Sequence, residues 1–482
     1  MFNMKHIVLA ISGVLLAGQA LAAPVTQSDI QTARANNALD EAWISGASAP
    51  TYNVFQGFVA GCDANSAAAF NNGNAAVVAR PGASAATNFL AYACTRGGKV
   101  SVLYHTVDGG SFNAYAPHIP NNVSGLGFGV TNLSRLGRLE NNTCVVQALP
   151  KDANGVDIPF ALPNQTNIPS YRCTARVNPA TLPDGAVAKP AGGFSDVEAA
   201  LFGVSTVGFG VEGDANVGQA FGVAASTSLY RAMQVAQGIY ASVAEANTAD
   251  PNFLPANAPT ISRTQYASIA SGTALDAGLL VPGSSAPLTL ARRAPTSGTQ
   301  GASNAFFLRN PCNGDPSIAG ALAPIRTSDS TPTLIVNEGS GTGNAKAALS
   351  GAGFAIGVLS MENDWNLDSS NNGYRFLKLD NVHPEAPVAG SGLSKDAKAR
   401  FTAAQGAYDF HMELKTFVAN SAAGSFGEKV IGDIVSAFAG LSCGDVPRGL
   451  TLNPFAGSSC TVGEVVAKGA RFGNNCQPQQ LF

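Results

Sequence analysis

The sequence predicts an exported α/β protein of two domains, and three observations carry that prediction. Strand-like and helix-like segments alternate along the chain, the first 22 residues have the build of an export leader, and the eight cysteines are even in number. The 482 residues are 45% hydrophobic and only 12% charged, with 28 Lys+Arg against 31 Asp+Glu and a formal net charge of −3. Such a composition supports a core. The low, balanced charge excludes nucleic acid as a partner, because nucleic acid needs a basic surface. No internal repeat at a period of roughly 20–50 residues is visible, which argues against solenoids and propellers.

Taken in chain order, the leader comes first. Lys5 supplies a positive start, residues 7–17 are apolar, and Ala20-Leu21-Ala22 forms a small-residue cleavage site. The apolar run falls short of the about 20 residues of a spanning helix. The expectation is a signal peptide over 1–22, a periplasmic or secreted mature chain of 482 − 22 = 460 residues, and no membrane span after cleavage. Helical patterns follow over 27–44, over 220–246 (interrupted by Gly222 and Gly238) and over 396–418. Strand-like runs occupy 76–79, 100–104, 333–337 and 354–359. Residues 118–190, rich in Asn and Pro, read as a disulfide-tied insertion with room for a strand or two, and 440–482 as a cysteine-containing tail; both look like decoration on a framework. Nearness along the chain favours Cys62–Cys94, Cys144–Cys173 and Cys460–Cys476, leaving Cys312 with Cys443.

Four segments carry chemistry. In residues 290–308, Arg293 is followed by Ser297-Gly298-Thr299 and then by a helix from about Gln300. A helix N-terminus offers unpaired N–H groups and the positive end of its dipole, which suits an anion. Ser and Thr hydroxyls add donors, glycine lets a guest approach the backbone, and the guanidinium fork fits two oxygens of a tetrahedral ion. In residues 191–202, Ser195-Asp196 reads as a helix start with Glu198 in its first turn. A carboxylate facing an anion site accepts only from a protonated oxyanion, so Asp196 would select by proton count. In residues 102–117, a strand runs into Asp108-Gly109-Gly110-Ser111, where Gly110 and Ser111 can supply an amide and a hydroxyl. In residues 44–52, Ser48, Ala49 and Thr51 line a small-residue loop with further donors.

Together these segments resemble, in order and spacing, the phosphate-specific periplasmic binding proteins of bacterial ABC transporters. Residues 44–51 (ISGASAPT) are similar to that family's G-A-G-A-T-F loop, with its threonine falling on Pro50 and Thr51 as the candidate. Tyr104 through Ser111 is similar to its Y-x-x-x-G-S-S-G-G turn, Gly193-Phe194-Ser195-Asp196 to its G-A-S-D, and Arg293 through Thr299 to its R-S-D-G-S-G-T. Ala355-Ile356-Gly357 resembles its G-A-I-G-Y strand. The resemblance implies a two-lobed periplasmic-binding-protein type II fold. Lobe I would comprise 23–216 and 360–482, lobe II 217–359, with crossovers near 219–225 and Ser360. It further implies non-catalytic capture of phosphate or a related protonated oxyanion between the lobes. Ser48, Ala49, Thr51, Gly110, Ser111 and Asp196 would lie on one side, with Arg293, Ser297, Gly298 and Thr299 on the other. The resemblance allows an ABC permease as partner and leaves open whether one exists. The alternative expectation is an extracellular scaffold or adhesion protein that keeps the fold without taking up a ligand.

Other signals point nowhere sharper. His105, His118, His383 and His411 lack metal-ligand spacing, so neither a metal nor a cofactor is expected. No nucleophile elbow supports a hydrolase. Asp364-x-Asn366-x-Asp368 lacks the glycine and closing glutamate of a calcium loop. Gly339 through Gly343 contains a second Ser-Gly-Thr, has no arginine four residues upstream, and reads as a flexible turn.

Overall fold

The protein is a mixed α/β fold with a large central sheet and disulfide-tied segments, of the α/β class the sequence predicts. The computed structural model describes residues 23–482 apart from 74–87, 120–136, 140–142, 153, 178–188, 313–321, 352, 366–372 and 386–392. The expected leader at 1–22, the run at 76–79, and Asn366 and Asp368 lie outside the described residues.

One mixed sheet of 14 strands runs through the molecule. At one side Asp40–Gly46 pairs in parallel with Lys99–Thr106 and with Gly192–Ser195. At the other, Leu288–Arg293 pairs in parallel with Leu334–Gly339 and with Phe354–Ser360. The two parallel sets are joined through the 17-residue strand Gly210–Ser226. Its first part is antiparallel to His411–Ala419, and its last part is antiparallel to Phe354–Ser360. His411–Ala419 in turn pairs with Gly192–Ser195. A single strand is thus shared by both halves, which fixes how the ends of the two parallel sets face each other.

The three helical expectations each merge a helix with a neighbouring strand. Residues 27–44 divide into the helix Gln27–Ala35, closed by a Thr26/Asp29 capping box, and the strand Asp40–Gly46, separated by Asn37 at φ 53°. Residues 220–246 begin in the long strand. Only at Thr227–Ala236 does a helix form, where the Ser226 hydroxyl accepts from the Leu229 N–H at 3.3 Å, and Val243–Ala249 adds a short second one. Residues 396–418 divide into Lys395–Ala404 and His411–Ala419, with Gly406 at φ 75° between them. The cause is common to all three. Their inner stretches, residues 42–46, 217–226 and 411–417, are buried on both faces, polar residues included, so they lack the alternating burial that marks a half-exposed strand.

The insertion and the tail are more than decoration. Cys144–Val146 and Ser170–Cys173 extend the main sheet at its edge, the latter parallel to Ala68–Asn71. Leu450–Leu452 of the tail pairs with Val217–Gln219 of the shared strand. Two disulfides follow the expectation, Cys62–Cys94 and Cys144–Cys173. The other two do not: Cys443 pairs with Cys460, and Cys312 with Cys476. Nearness could not decide between them, because Cys443 and Cys460 are 17 residues apart and Cys460 and Cys476 are 476 − 460 = 16 apart. The strand Leu450–Leu452 enters the sheet between the first two and brings them together, while the last residues run on to meet Cys312.

One apolar core spans both halves. Phe112, Val197 and Phe202 share it with Ala302, Phe306 and Phe307 of the helix Gly298–Leu308. A second core lies under Thr51–Ala60 and Phe426–Ala439, whose close crossing puts Gly57 against Ile434. Burying side chains of this size contributes about 1.5–3 kcal/mol each. Among the described residues, no helix is long and apolar enough to cross a membrane.

Candidate functional site

The site lies where the carboxyl ends of the two parallel sets meet, the region where open α/β sheets hold their ligands. Asp40–Gly46 runs out into Ser48 and Ala49, Lys99–Thr106 into Gly110 and Ser111, and Gly192–Ser195 into Asp196. From the other half, Leu288–Arg293 leads to Ser297 and the helix Gly298–Leu308, and Leu334–Gly339 leads to Ser340 and the helix Thr342–Leu349. Phe354–Ser360 leads to Glu362. The halves touch directly. The Phe112 N–H donates to the Thr296 carbonyl at 3.1 Å. Gly110, at φ 79°, is packed so tightly on Thr296 and Ser297 that a Cβ there would stand 3.1 Å from the Ser297 Cα.

Gly298 is packed closely as well. A Cβ on it would lie 2.2 Å from Ser111 Oγ and 2.5 Å from Asp196 Oδ2, so only glycine fits between hydroxyl and carboxylate. The helix it opens has no side-chain cap: the Ser297 hydroxyl makes no cap hydrogen bond. The first intrahelical bond is Gly301 N–H to Ser297 C=O at 2.9 Å, which leaves the amides of Gly298, Thr299 and Gln300 without an intrahelical acceptor. Four sequence-predicted residues, Ser111, Asp196, Ser297 and Gly298, are thereby brought together at one uncapped helix N-terminus.

Asp196 is buried, and its Oδ1 has no hydrogen-bond partner among the described residues. Its backbone N–H donates to Ser111 Oγ at 3.3 Å. Burial pushes its carboxyl up to about 6, against the opposing pull of the Ser111 hydroxyl and the Arg293 charge. Arg293 is buried too, and its fork is already engaged. Nη1 donates to Thr342 Oγ1 at 2.6 Å and Nη2 to the Ser340 carbonyl at 3.1 Å, while Nε is buried without a partner among the described residues. The expected two-oxygen grip by the fork is therefore replaced by a guanidinium pinned from behind, with Nε as its spare donor. Burial lowers its pKa, while Asp196 and Glu362 raise it. The second Ser-Gly-Thr is accordingly not a flexible turn: it opens the helix Thr342–Leu349 and orients Arg293.

Glu362 is not foreseen from the sequence. Its Oε1 accepts from Ser360 Oγ at 3.2 Å, and its carboxyl is pushed up to about 7 by burial and by Asp196, opposed by Ser360, Lys346 and Arg293. The signal that could have found it is its position, since it follows a parallel strand whose carboxyl end must reach the site. The first loop is less engaged. Thr51 Oγ1 donates to the Ser48 carbonyl at 2.5 Å, so this hydroxyl caps its own loop, and Ala49 is buried beside it. Asn53, in the first turn of Thr51–Ala60, is fully buried with both amide atoms unpartnered among the described residues, a second feature missed from sequence.

Asp196 does not start the expected α-helix; it precedes a four-residue 3-10 turn, Ala199–Phe202. The histidines are packed away from this cluster. His105 Nδ1 meets the Tyr92 hydroxyl at 3.2 Å, His411 Nε2 meets Thr451 Oγ1 at 2.8 Å, and both ring nitrogens of His383 face backbone carbonyls at 3.2 Å. Burial lowers the His105 and His411 imidazoles to about 3.

No family model matches the chain, and no curated protein matches it. Solved structures give a distant likeness. A Clostridium perfringens substrate-binding protein of the phosphate ABC transporter type, solved with bound phosphate, is 11% identical at a TM-score of 0.35, covering 82% of this chain and 93% of that one. A phosphate-binding protein from Stenotrophomonas maltophilia is 12% identical at 0.33, covering 83% of each chain. An ABC-type phosphate transport receptor from Vibrio cholerae is 10% identical at 0.30, covering 50% of this chain and 72% of that one.

Proposed function

We propose that this protein captures phosphate, or a related protonated oxyanion, outside the cytoplasm without performing chemistry on it. The observation that carries the reading is the pairing of an uncapped helix N-terminus at Gly298 with the buried, half-unpartnered carboxyl of Asp196. The amides of Gly298 and Thr299, the Ser297 and Ser111 hydroxyls and Arg293 Nε would donate to the ion's oxygens. Asp196 Oδ1 would accept its proton. In this reading the lobes are 23–216 with 360–482, and 217–359; Ser48, Ala49, Thr51 and Gly110 contribute backbone from the first. Whether an ABC permease receives the ion belongs to the same proposal.

The test is calorimetric titration of the mature chain with phosphate, arsenate and sulfate near neutral pH. Heat with phosphate and arsenate and none with sulfate is expected. Equal affinity for sulfate would remove the proton-reading role of Asp196. A second reading, an extracellular scaffold, is favoured by the continuous apolar core between the halves and by the Cys312–Cys476 bond across them. Silence with all three ions would select it.

A further inference from the structure

We propose that the Cys312–Cys476 disulfide is a redox-operated latch that holds the helix Gly298–Leu308 against the segment bearing Asp196. The proposal rests on the oxyanion reading only for its physiological meaning; the restraint itself follows from connectivity. The helix begins at the site and ends at Leu308, four residues before Cys312. On the other side of the bond, Asn475 precedes Cys476 and is buried. Its backbone N–H and its side-chain amide each donate to a carboxylate oxygen of Glu198 at 2.7 Å, and its Oδ1 accepts from the Glu413 N–H at 2.8 Å. Glu198 lies two residues beyond Asp196. Arg471 anchors the same tail, donating to the His411 carbonyl at 2.8 Å and to Asp409 Oδ1 at 2.9 Å.

A closed circuit results. It runs from Gly298 along the helix to Cys312, across the sulfurs to Cys476, through Asn475 to Glu198, and back to Asp196, which touches Gly298. Separating the two walls of the site requires the helix to lift off Val197 and Phe202, against which Gly301 is packed. With the bond intact the far end of the helix is tied covalently to the tail and only a pivot about it remains. Without the bond that end is held by packing alone, through Ala302, Phe306 and Phe307 in the shared core and the Phe306 carbonyl that accepts from Arg263, and the covalent stop on its opening is gone.

The bond is reachable, because Cys476 is exposed and Cys312 partly so. A small dithiol supplies both electrons. Its thiolate attacks one sulfur, giving a mixed disulfide and one cysteine thiolate. Its second thiol then displaces the remaining cysteine, so that two protein thiols and one cyclic disulfide are formed.

The experiment uses the full mature chain in four forms: oxidised, treated with dithiothreitol, Cys312→Ser/Cys476→Ser, and Cys443→Ser/Cys460→Ser as the control. Two quantities are read, the release rate of labelled inorganic phosphate and the hydrogen exchange of the Gly298, Thr299 and Gln300 amides. Release and exchange should both accelerate at least ~10-fold in the reduced and C312S/C476S forms and stay within about twofold in the control. Equal rates in the oxidised and C312S/C476S forms would overturn the latch. If no form binds phosphate, the oxyanion reading fails, and amide exchange still decides the latch by the same comparison. Should C312S/C476S not fold, dithiothreitol treatment of the folded wild type, checked by circular dichroism, decides the question by the same two rates.

Discussion

Replacing Asp196 by asparagine should stabilise the empty protein at alkaline pH and leave it unchanged in acid. Asp196 is only 5% exposed, and burial pushes its carboxyl up to about 6 in the folded chain from an ordinary value of 3.8. The folded state therefore holds this proton more tightly than the unfolded chain does. Stability accordingly falls as pH rises from about 4 to about 6, and the deficit is complete above that range. Two pH units at about 1.4 kcal/mol each give ~3 kcal/mol for the ionised form. Asparagine carries no charge at any pH and escapes the penalty. Urea unfolding of both proteins in oxyanion-free buffer should give equal stability near pH 4 and an advantage of ~3 kcal/mol for D196N near pH 8. A difference that is the same at every pH, or an advantage for the wild type at pH 8, would refute the reasoning. The same variant should lose phosphate and gain sulfate, because the amide can donate where the carboxylate could only accept.

Two further outcomes follow from the same geometry. Gly298→Ala drives a methyl to 2.2 Å from Ser111 Oγ and 2.5 Å from Asp196 Oδ2; the helix must retreat, weakening phosphate binding by ~100-fold and costing about 1–3 kcal/mol in thermal unfolding. An affinity within twofold of wild type would show that the ion does not sit at this helix end. Glu362, pushed up to about 7, is neutral below that value and charged above it, so phosphate affinity should decline as pH rises through about 7. Glu362→Gln should flatten the decline; dissociation constants measured between about pH 6 and 8 that rise in parallel for the two proteins would remove Glu362 from the site.

Much of the site was legible because its parts are local. Gly298 and Ser297 announce themselves as a Ser-Gly-Thr before a helix, and Asp196 as an acid after two glycines. What sequence could not supply is which distant partner each part serves. Ser340 and Thr342 have no arginine four residues upstream to mark them. The arginine they hold is Arg293, delivered by the adjacent parallel strand through the register Arg293 with Gly339. Glu362 has no motif around it at all; only its place after a parallel strand marks it. In the fold, the missed elements are the central ones. Residues 42–46, 217–226 and 411–417 are buried on both faces, and a stretch without alternating burial beside a helix does not break the helical pattern. The tail's role was hidden for a related reason, since pairing Leu450–Leu452 with the shared strand, and Cys476 with Cys312, depends on contacts between residues 452 − 217 = 235 and 164 positions apart.

The strongest argument for a guest comes from groups that remain unsatisfied in opposite senses. Among the described residues, Asp196 Oδ1 is a buried acceptor without a donor and Arg293 Nε a buried donor without an acceptor, while the amides of Gly298 to Gln300 lack an intrahelical acceptor. Leaving each buried group unpaired costs about 1–3 kcal/mol. The Arg293 fork is meanwhile turned to Ser340 and Thr342. A scaffold with no ligand has no use for such an arrangement and would gain stability from apolar side chains at these positions. In the oxyanion reading, a guest offering several acceptor oxygens and one proton would pair with these groups. Sulfate supplies the oxygens but not the proton, and hydrogenphosphate supplies both.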